Sequence, residues 1–193
     1  ALANASVGEK AYEYSNFGYG VLAETLAKYS DTSFEDLVQT QIFKPFGMNH
    51  SYVALNSDYK PETLTPGHNV LGEPVAHWHF KALAGAGAVV STPYDMTRYI
   101  QTLMEKVKNS DKAVTTLLTS RKTIEGCCQQ ALSWMISEDN SGKPYAWHNG
   151  QTAGFSSFVG FYLDGSKGVV VLNAQSVNVN SDALTLLTET SKN

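Results

Sequence analysis

From residue 131 the apolar rhythm of the chain changes, and that change restricts the fold more than any other feature. Before it, apolar residues recur at helical spacing. After it they fall in strand-length blocks at 132–136, 144–148, 155–163 and 168–173. Asp164-Gly165 between the last two blocks is a hairpin signal, and both blocks are apolar on both faces. That pattern predicts strands in mid-sheet with helices on each side. A closing helix follows, capped by Ser181, with Ala183, Leu184, Leu186 and Leu187 facing inward. Helices first, then antiparallel strands, then a terminal helix predict an α/β sandwich, an antiparallel sheet flanked by helices. Four strands are few for such a sheet, so part of the fold is expected to lie outside this sequence.

The helical half is legible in pieces. Residues 17–29 place Phe17, Val21, Leu22, Leu26 and Tyr29 on one face. Ser33 caps a second helix, with Asp36 at the capping-box position and Phe34, Leu37, Val38 and Ile42 apolar; Pro45 and Gly47 stop it. Residues 50–84 show no period and read as an ordered functional loop region. Thr92-Pro93 opens the next helix, whose stripe is Met96, Tyr99, Ile100, Leu103 and Val107. Ser110 or Asp111 starts a further one through Leu118. Residues 1–130 thus read as part of a helical and loop lobe, and residues 131–193 as the strands and terminal helix of an α/β lobe.

Composition excludes several classes of function. Hydrophobic residues make up 42% and charged residues 17%, too apolar for disorder. The net charge of −4, with few and scattered Lys and Arg, lacks the basic footprint that nucleic-acid phosphates require. No apolar run is long enough to span a bilayer, and no export signal opens the chain. Cys127 and Cys128 are adjacent; a bridge between neighbours distorts the intervening peptide, so two thiols at a strand edge are expected.

Two short strings could carry chemistry. Tyr14-Ser15-Asn16 precedes a helix and, taken alone, reads as an ordinary cap. His148-Asn149-Gly150, followed by Gln151-Thr152-Ala153-Gly154-Phe155, taken alone reads as a turn. Together and in this order they resemble the second and third motifs of the serine β-lactamase/penicillin-binding-protein superfamily, whose set is Ser-x-x-Lys, Tyr-x-Asn and Lys/His-x-Gly. Pro45-Phe46-Gly47-Met48 and the Gly-rich run from Ala84 into Ser91-Thr92-Pro93-Tyr94-Asp95 match further segments of the class C β-lactamase-like branch. The resemblance covers essentially the whole chain. It points most to the DD-carboxypeptidases and endopeptidases, in which His commonly replaces Lys in the third motif.

The resemblance implies a β-lactamase/transpeptidase-like fold and roles for particular residues. Tyr14 would be the phenolic base or proton shuttle. Phenols ordinarily ionise near pH 10, so that role needs a nearby cation, which the lysine of Ser-x-x-Lys would supply. Asn16 would orient that lysine and bind a substrate amide. His148 would hydrogen-bond the tyrosine and help bind a substrate carboxylate, titrating near pH 6.5. Gly150 would let the strand approach the substrate, the backbone N–H of Gln151 would supply an oxyanion donor, and Thr152 would join them in the substrate-binding and oxyanion set.

One element of the pattern departs. Ser-x-x-Lys should lie upstream of Tyr14, and the single such string, Ser57-Asp58-Tyr59-Lys60, lies downstream, with Pro61 opposing helix continuation. The chain is therefore expected to be the C-terminal portion of a serine acyl hydrolase of D-alanyl peptides, β-lactams or small esters. Alone it should form no acyl-enzyme; its partner would be the missing N-terminal segment of the same protein. The alternatives are a non-catalytic binding or sensor module and a zinc-dependent hydrolase. The last would use His77 and His79 of His77-Trp78-His79, with His68 as a third ligand. No cofactor is implied. By resemblance alone the protein would work in the cell envelope or periplasm, or be secreted.

Overall fold

The computed structural model describes residues 12–55 and 64–189. Helix α1 (Asn16–Tyr29) is capped by Ser15, whose Oγ accepts the Gly18 N–H at 2.9 Å. Helix α2 (Phe34–Val38) starts at Ser33, whose Oγ accepts the Asp36 N–H at 3.0 Å. It widens by a π-type turn and continues into α3 (Lys44–Phe46), which ends on Gly47 in the left-handed conformation. Three short strands follow in the loop region: β1 (Tyr52–Val53), β2 (Gly67–His68) and β3 (Pro74–Val75), the last two paired with each other. A 3-10 segment at Lys81–Ala86 leads into β4 (Val89–Val90), which pairs with β1. The Ser57–Lys60 string lies outside the described residues.

Helix α4 (Pro93–Lys108) starts at Thr92, whose hydroxyl accepts the Asp95 N–H. Asp95 is wholly buried. Its Oδ2 accepts the His50 N–H and the Ser51 hydroxyl, both at 2.7 Å, and the His50 ring nitrogen lies 3.5 Å from Oδ1. Those bonds fix the entry to β1 against the first turn of α4. Helix α5 (Lys112–Leu118) is capped by Asp111.

One antiparallel sheet of six strands forms the second half, made of β5 (Lys122–Ile124), β6 (Cys128–Gln130), β7 (Met135–Glu138), β8 (Pro144–Gln151), β9 (Ser156–Tyr162) and β10 (Gly168–Asn173). The spatial order is β10-β9-β8-β7-β6-β5, so each strand lies beside its sequence neighbour. Helix α6 (Asn180–Thr188) closes the chain. The pleat sorts the core. Phe161 and Val159 join Trp134, Ile136, Ile100 and Leu103 beneath α4, while Phe158 and Tyr162 meet Ala183 and Leu187 beneath α6.

Five expectations change. The sheet has six strands rather than four, because the polar β5–β6 hairpin carries no apolar alternation to betray it. β9 lies mid-sheet as expected, but β10 is an edge strand among the described residues. The apolar face of α1 is exposed, Tyr29 at 90%, and the helix turns Gly20, Ala23 and Ala27 inward instead. Small residues suit that contact, since the 3-10 segment comes against α1 at backbone distance. α6 begins after Val179 with no side-chain cap, and Ser181 lies inside it. Finally, Cys127 and Cys128 are joined by a disulfide. Cys127 lies in the hairpin turn, its N–H bonded to Ile124 O at 3.1 Å, so strand alternation does not send the two side chains to opposite faces.

Candidate active site

The start of α1 and the segment ahead of it are held at two points, one on β6 and one on the turn that follows it. The Tyr12 hydroxyl donates to Gln130 Oε1 at 2.9 Å, and the Tyr19 hydroxyl shares a 2.7 Å hydrogen bond with Ser133 Oγ. Between these anchors the Tyr14 ring lies over the His148 ring, with centroids 6.4 Å apart and planes inclined by 23°. Tyr14 is 56% exposed. Asn16 opens α1 two residues on, also exposed.

His148 stands on β8, opposite Val159 of β9, and Asn149-Gly150 pair with Phe158 and Ser157. The Asn-Gly pair is therefore strand and not a turn; the hairpin falls at 152–155, closed by the Thr152 N–H to Phe155 O at 2.9 Å. Burial among β8 and its neighbours lowers the imidazole pKa below its ordinary value, against a smaller opposing effect of a hydrogen bond that the ring donates to the Asn149 backbone. The ring is then neutral at neutral pH, where the sequence pointed to a titration near 6.5. At that pH it is a hydrogen-bonding group rather than a cation.

The ladder decides where the strand's backbone donors point. Thr152 N–H to Phe155 O and Leu163 N–H to Pro144 O place the even-numbered residues of β8 in the bonded pairs with β9. The backbone groups of Asn149 and Gln151 consequently face the opposite edge. There β7 has stopped pairing at Met135–Trp147. Among the described residues this edge, with its outward N–H groups, has no strand partner beyond Trp147, next to the residue over which Tyr14 lies. The Gln151 side chain is tied back, its Nε2 donating to Ser176 Oγ at 3.0 Å, and Ser176 Oγ donates to Thr152 O at 3.0 Å. The Thr152 backbone is therefore committed to structure. A Cβ on Gly150 would come 2.9 Å from Ser157 Oγ, so the neighbouring strand also favours glycine there.

Two histidines of the loop region make other contacts. The His77 ring stacks on Phe155 at 5.1 Å, and His68 Nδ1 lies 3.1 Å from Ala174 O. Among the described residues no group of three or more His, Cys, Asp or Glu is placed to hold a metal ion. Sequence reasoning missed Tyr12, Tyr19, Gln130 and Ser133, whose partners lie more than a hundred residues away. Only the spacing of tyrosines around Tyr14 could have hinted at them.

Comparison with known proteins gives a consistent set of likenesses. The family model described as Beta-lactamase matches residues 2–188. Penicillin-binding protein 4* of Bacillus subtilis is 25% identical over 184 residues, which is 85% of this chain and 40% of that protein. A Beta-lactamase of Escherichia coli is 26% identical over 193 residues, 82% of this chain and 50% of that protein. Among solved structures, a class C beta-lactamase superposes with a TM-score of 0.78 at 24% identity, covering 93% of this chain and 58% of that one. The octameric penicillin-binding protein homologue from Pyrococcus abyssi gives 0.80 at 21%, covering 94% and 43%. The chain spans about half the length of the relatives it matches.

Proposed function

Because this chain belongs to the beta-lactamase family, we propose that it is the substrate-positioning portion of a serine acyl hydrolase whose nucleophile arrives on a segment ahead of Tyr14. The observation that carries the reading is the approach of the Tyr14 and His148 rings beside the open edge of β8. In it, a serine from the Ser-x-x-Lys segment attacks a substrate carbonyl. The Tyr14 phenol relays the serine proton to the leaving group, and the Gln151 N–H receives the developing oxyanion. Asn16 meets the incoming lysine and the substrate amide. His148, in ring contact with the phenol, hydrogen-bonds the carboxylate end of the substrate.

Two exposed features support a docking segment. The stripe of Leu22, Leu26 and Tyr29 on α1 faces outward, and the outer edge of β10, a run of Gly168, three valines and Leu172, has no strand partner among the described residues. Edge strands of that composition ordinarily have a partner or a cover. In this reading residues 1–130 belong to the helical and loop lobe, with the β5–β6 hairpin crossing to the sheet, and residues 131–193 to the α/β lobe. The substrate is a D-alanyl peptide, β-lactam or small ester with a carbonyl next to a carboxylate. Such substrates place the protein in the cell envelope or outside the cell. No helix among the described residues is long and apolar enough to cross a membrane.

A fluorescent penicillin tests the proposal. A reading frame carrying Ser-x-x-Lys ahead of this sequence should be labelled covalently, and the present chain should not. Labelling that survives replacement of the Ser-x-x-Lys serine, or labelling of this chain alone, contradicts it.

A further inference from the structure

We propose that the corner formed by residues 130–134 is a clamp that sets the position of Tyr14, with Tyr12, Tyr19, Gln130 and Ser133 as its positioning residues. The proposal rests on the reading above that Tyr14 and His148 share one groove. The corner is built to be rigid. Ala131 and Trp134 are buried, and Trp134 meets Phe161 edge-on at 5.3 Å in the core beneath α4. The Ala131 N–H closes the turn on Trp134 O at 2.8 Å, and the Leu132 N–H ties it to Leu117 O at 3.1 Å. Within the turn Ser133 adopts φ +63°, a left-handed backbone rare for a residue with a side chain.

That turn offers two polar groups to the segment bearing Tyr14. The Gln130 amide is fixed in orientation, because its Nε2 donates to Ala131 O at 2.9 Å and Trp134 O at 3.2 Å. Its Oε1 is thereby left to accept from Tyr12. Ser133 presents its hydroxyl to Tyr19. The two bonds lie on either side of Tyr14-Ser15-Asn16 in sequence, and both end on one short, core-rooted corner. Tyr12 reaches Gln130 at the end of β6, and Tyr14, two residues on, reaches His148 of β8. Tyr14, exposed and joined to His148 by a ring contact alone, takes its placement from these neighbours.

The test reads the ring contact directly on this chain. The His148 imidazole proton signals carry the ring current of Tyr14, so Tyr14→Ala defines the signal without it. Tyr12→Phe, Tyr19→Phe and their double variant remove only hydroxyls at exposed positions. In the double variant the His148 signals should move most of the way to the Tyr14→Ala values. Tyr14→Phe should keep them, and the signals of β9 should stay in place. Ser133→Ala should reproduce Tyr19→Phe and add nothing to it. Unmoved His148 signals in the double variant overturn the clamp while leaving the groove intact. Identical His148 signals in wild type and Tyr14→Ala overturn both, since then no ring contact exists to be positioned.

Discussion

The contact between α1 and the 3-10 segment is where a single methyl group should matter most. A Cβ added at Gly85 would lie 2.5 Å from both Ala23 Cβ and Tyr19 O. Ordinary contact begins near 3.4 Å, so the two elements must separate by about 1 Å (3.4 less 2.5), and neither obstacle is a side chain that can swing aside. Overpacking of that kind costs about 1–3 kcal/mol. Gly20, on the other side of the same contact, is the control. Its added Cβ would meet chiefly Leu83 Cδ2 at 2.6 Å, the end of an exposed and movable chain, with Leu83 Cα at 3.1 Å. Alanine inside α1 also recovers about 0.5–1 kcal/mol of helix propensity. Gly20→Ala should therefore be close to neutral, and Gly85→Ala should be less stable than wild type by about 1–3 kcal/mol. Urea unfolding of the three proteins, read as midpoints at constant slope, measures both values. A wild-type midpoint for Gly85→Ala, or greater damage in Gly20→Ala, would refute a close backbone contact at Gly85.

Three further outcomes follow from individual groups. The folded-state pKa of His148 is lowered by burial, so between it and the unfolded value near 6.5 the unfolded chain binds more protons. Stability should therefore fall as pH drops below about 6.5 and level off beneath the folded value, with an NMR titration midpoint below 6.5; a midpoint at or above it contradicts the burial argument. Asp95→Ala should destabilise by about 1–3 kcal/mol for each orphaned donor, the His50 amide and the Ser51 hydroxyl, in thermal or urea unfolding; a near-neutral result would mean water reaches both. At the far end of the sheet, Asp139 is held well below the usual carboxylate range by hydrogen bonds from Ser141, Tyr162 and the Lys143 backbone. Its stabilisation is present above its unfolded value and lost as pH falls through the folded one. Tyr162→Phe should raise the Asp139 pKa and shift the acid limb of unfolding upward, and an unchanged limb refutes that account.

Local rules carried the reading wherever a residue and its partner are near in sequence. Ser33 and Thr92 stand at the helix starts expected of them, and of the open pairs Ser15/Asn16 and Ser110/Asp111 it is Ser15 and Asp111 that cap, because capping is decided within three residues. The α4 stripe was legible for the same reason: Ile100 and Leu103 are buried. Periodicity failed where burial depends on what lies opposite. The apolar face of α1 looked inward by pattern, yet glycine and alanine face the 3-10 segment, since only they allow backbone approach. β5 and β6 carry Lys122, Gln129 and Gln130 and were invisible to an apolar criterion. At the candidate site, Tyr14 and His148 could be paired only through motif order, because 134 positions separate them (148 less 14). The clamp at Gln130 and Ser133 had no signature, since a left-handed serine and a tyrosine bond are properties of the folded chain.

At the centre of the proposed function is a groove in which the phenol of Tyr14 and the imidazole of His148 meet a ligand together. Titration of isotopically labelled chain with penicillin, followed by NMR and by intact-mass spectrometry, examines that directly. The Tyr14, His148 and Gln151 signals should shift in concert along one binding curve, with no covalent mass increase. Shifts at His148 without Tyr14, shifts confined to another surface, or an acyl adduct on a serine of this chain would contradict it.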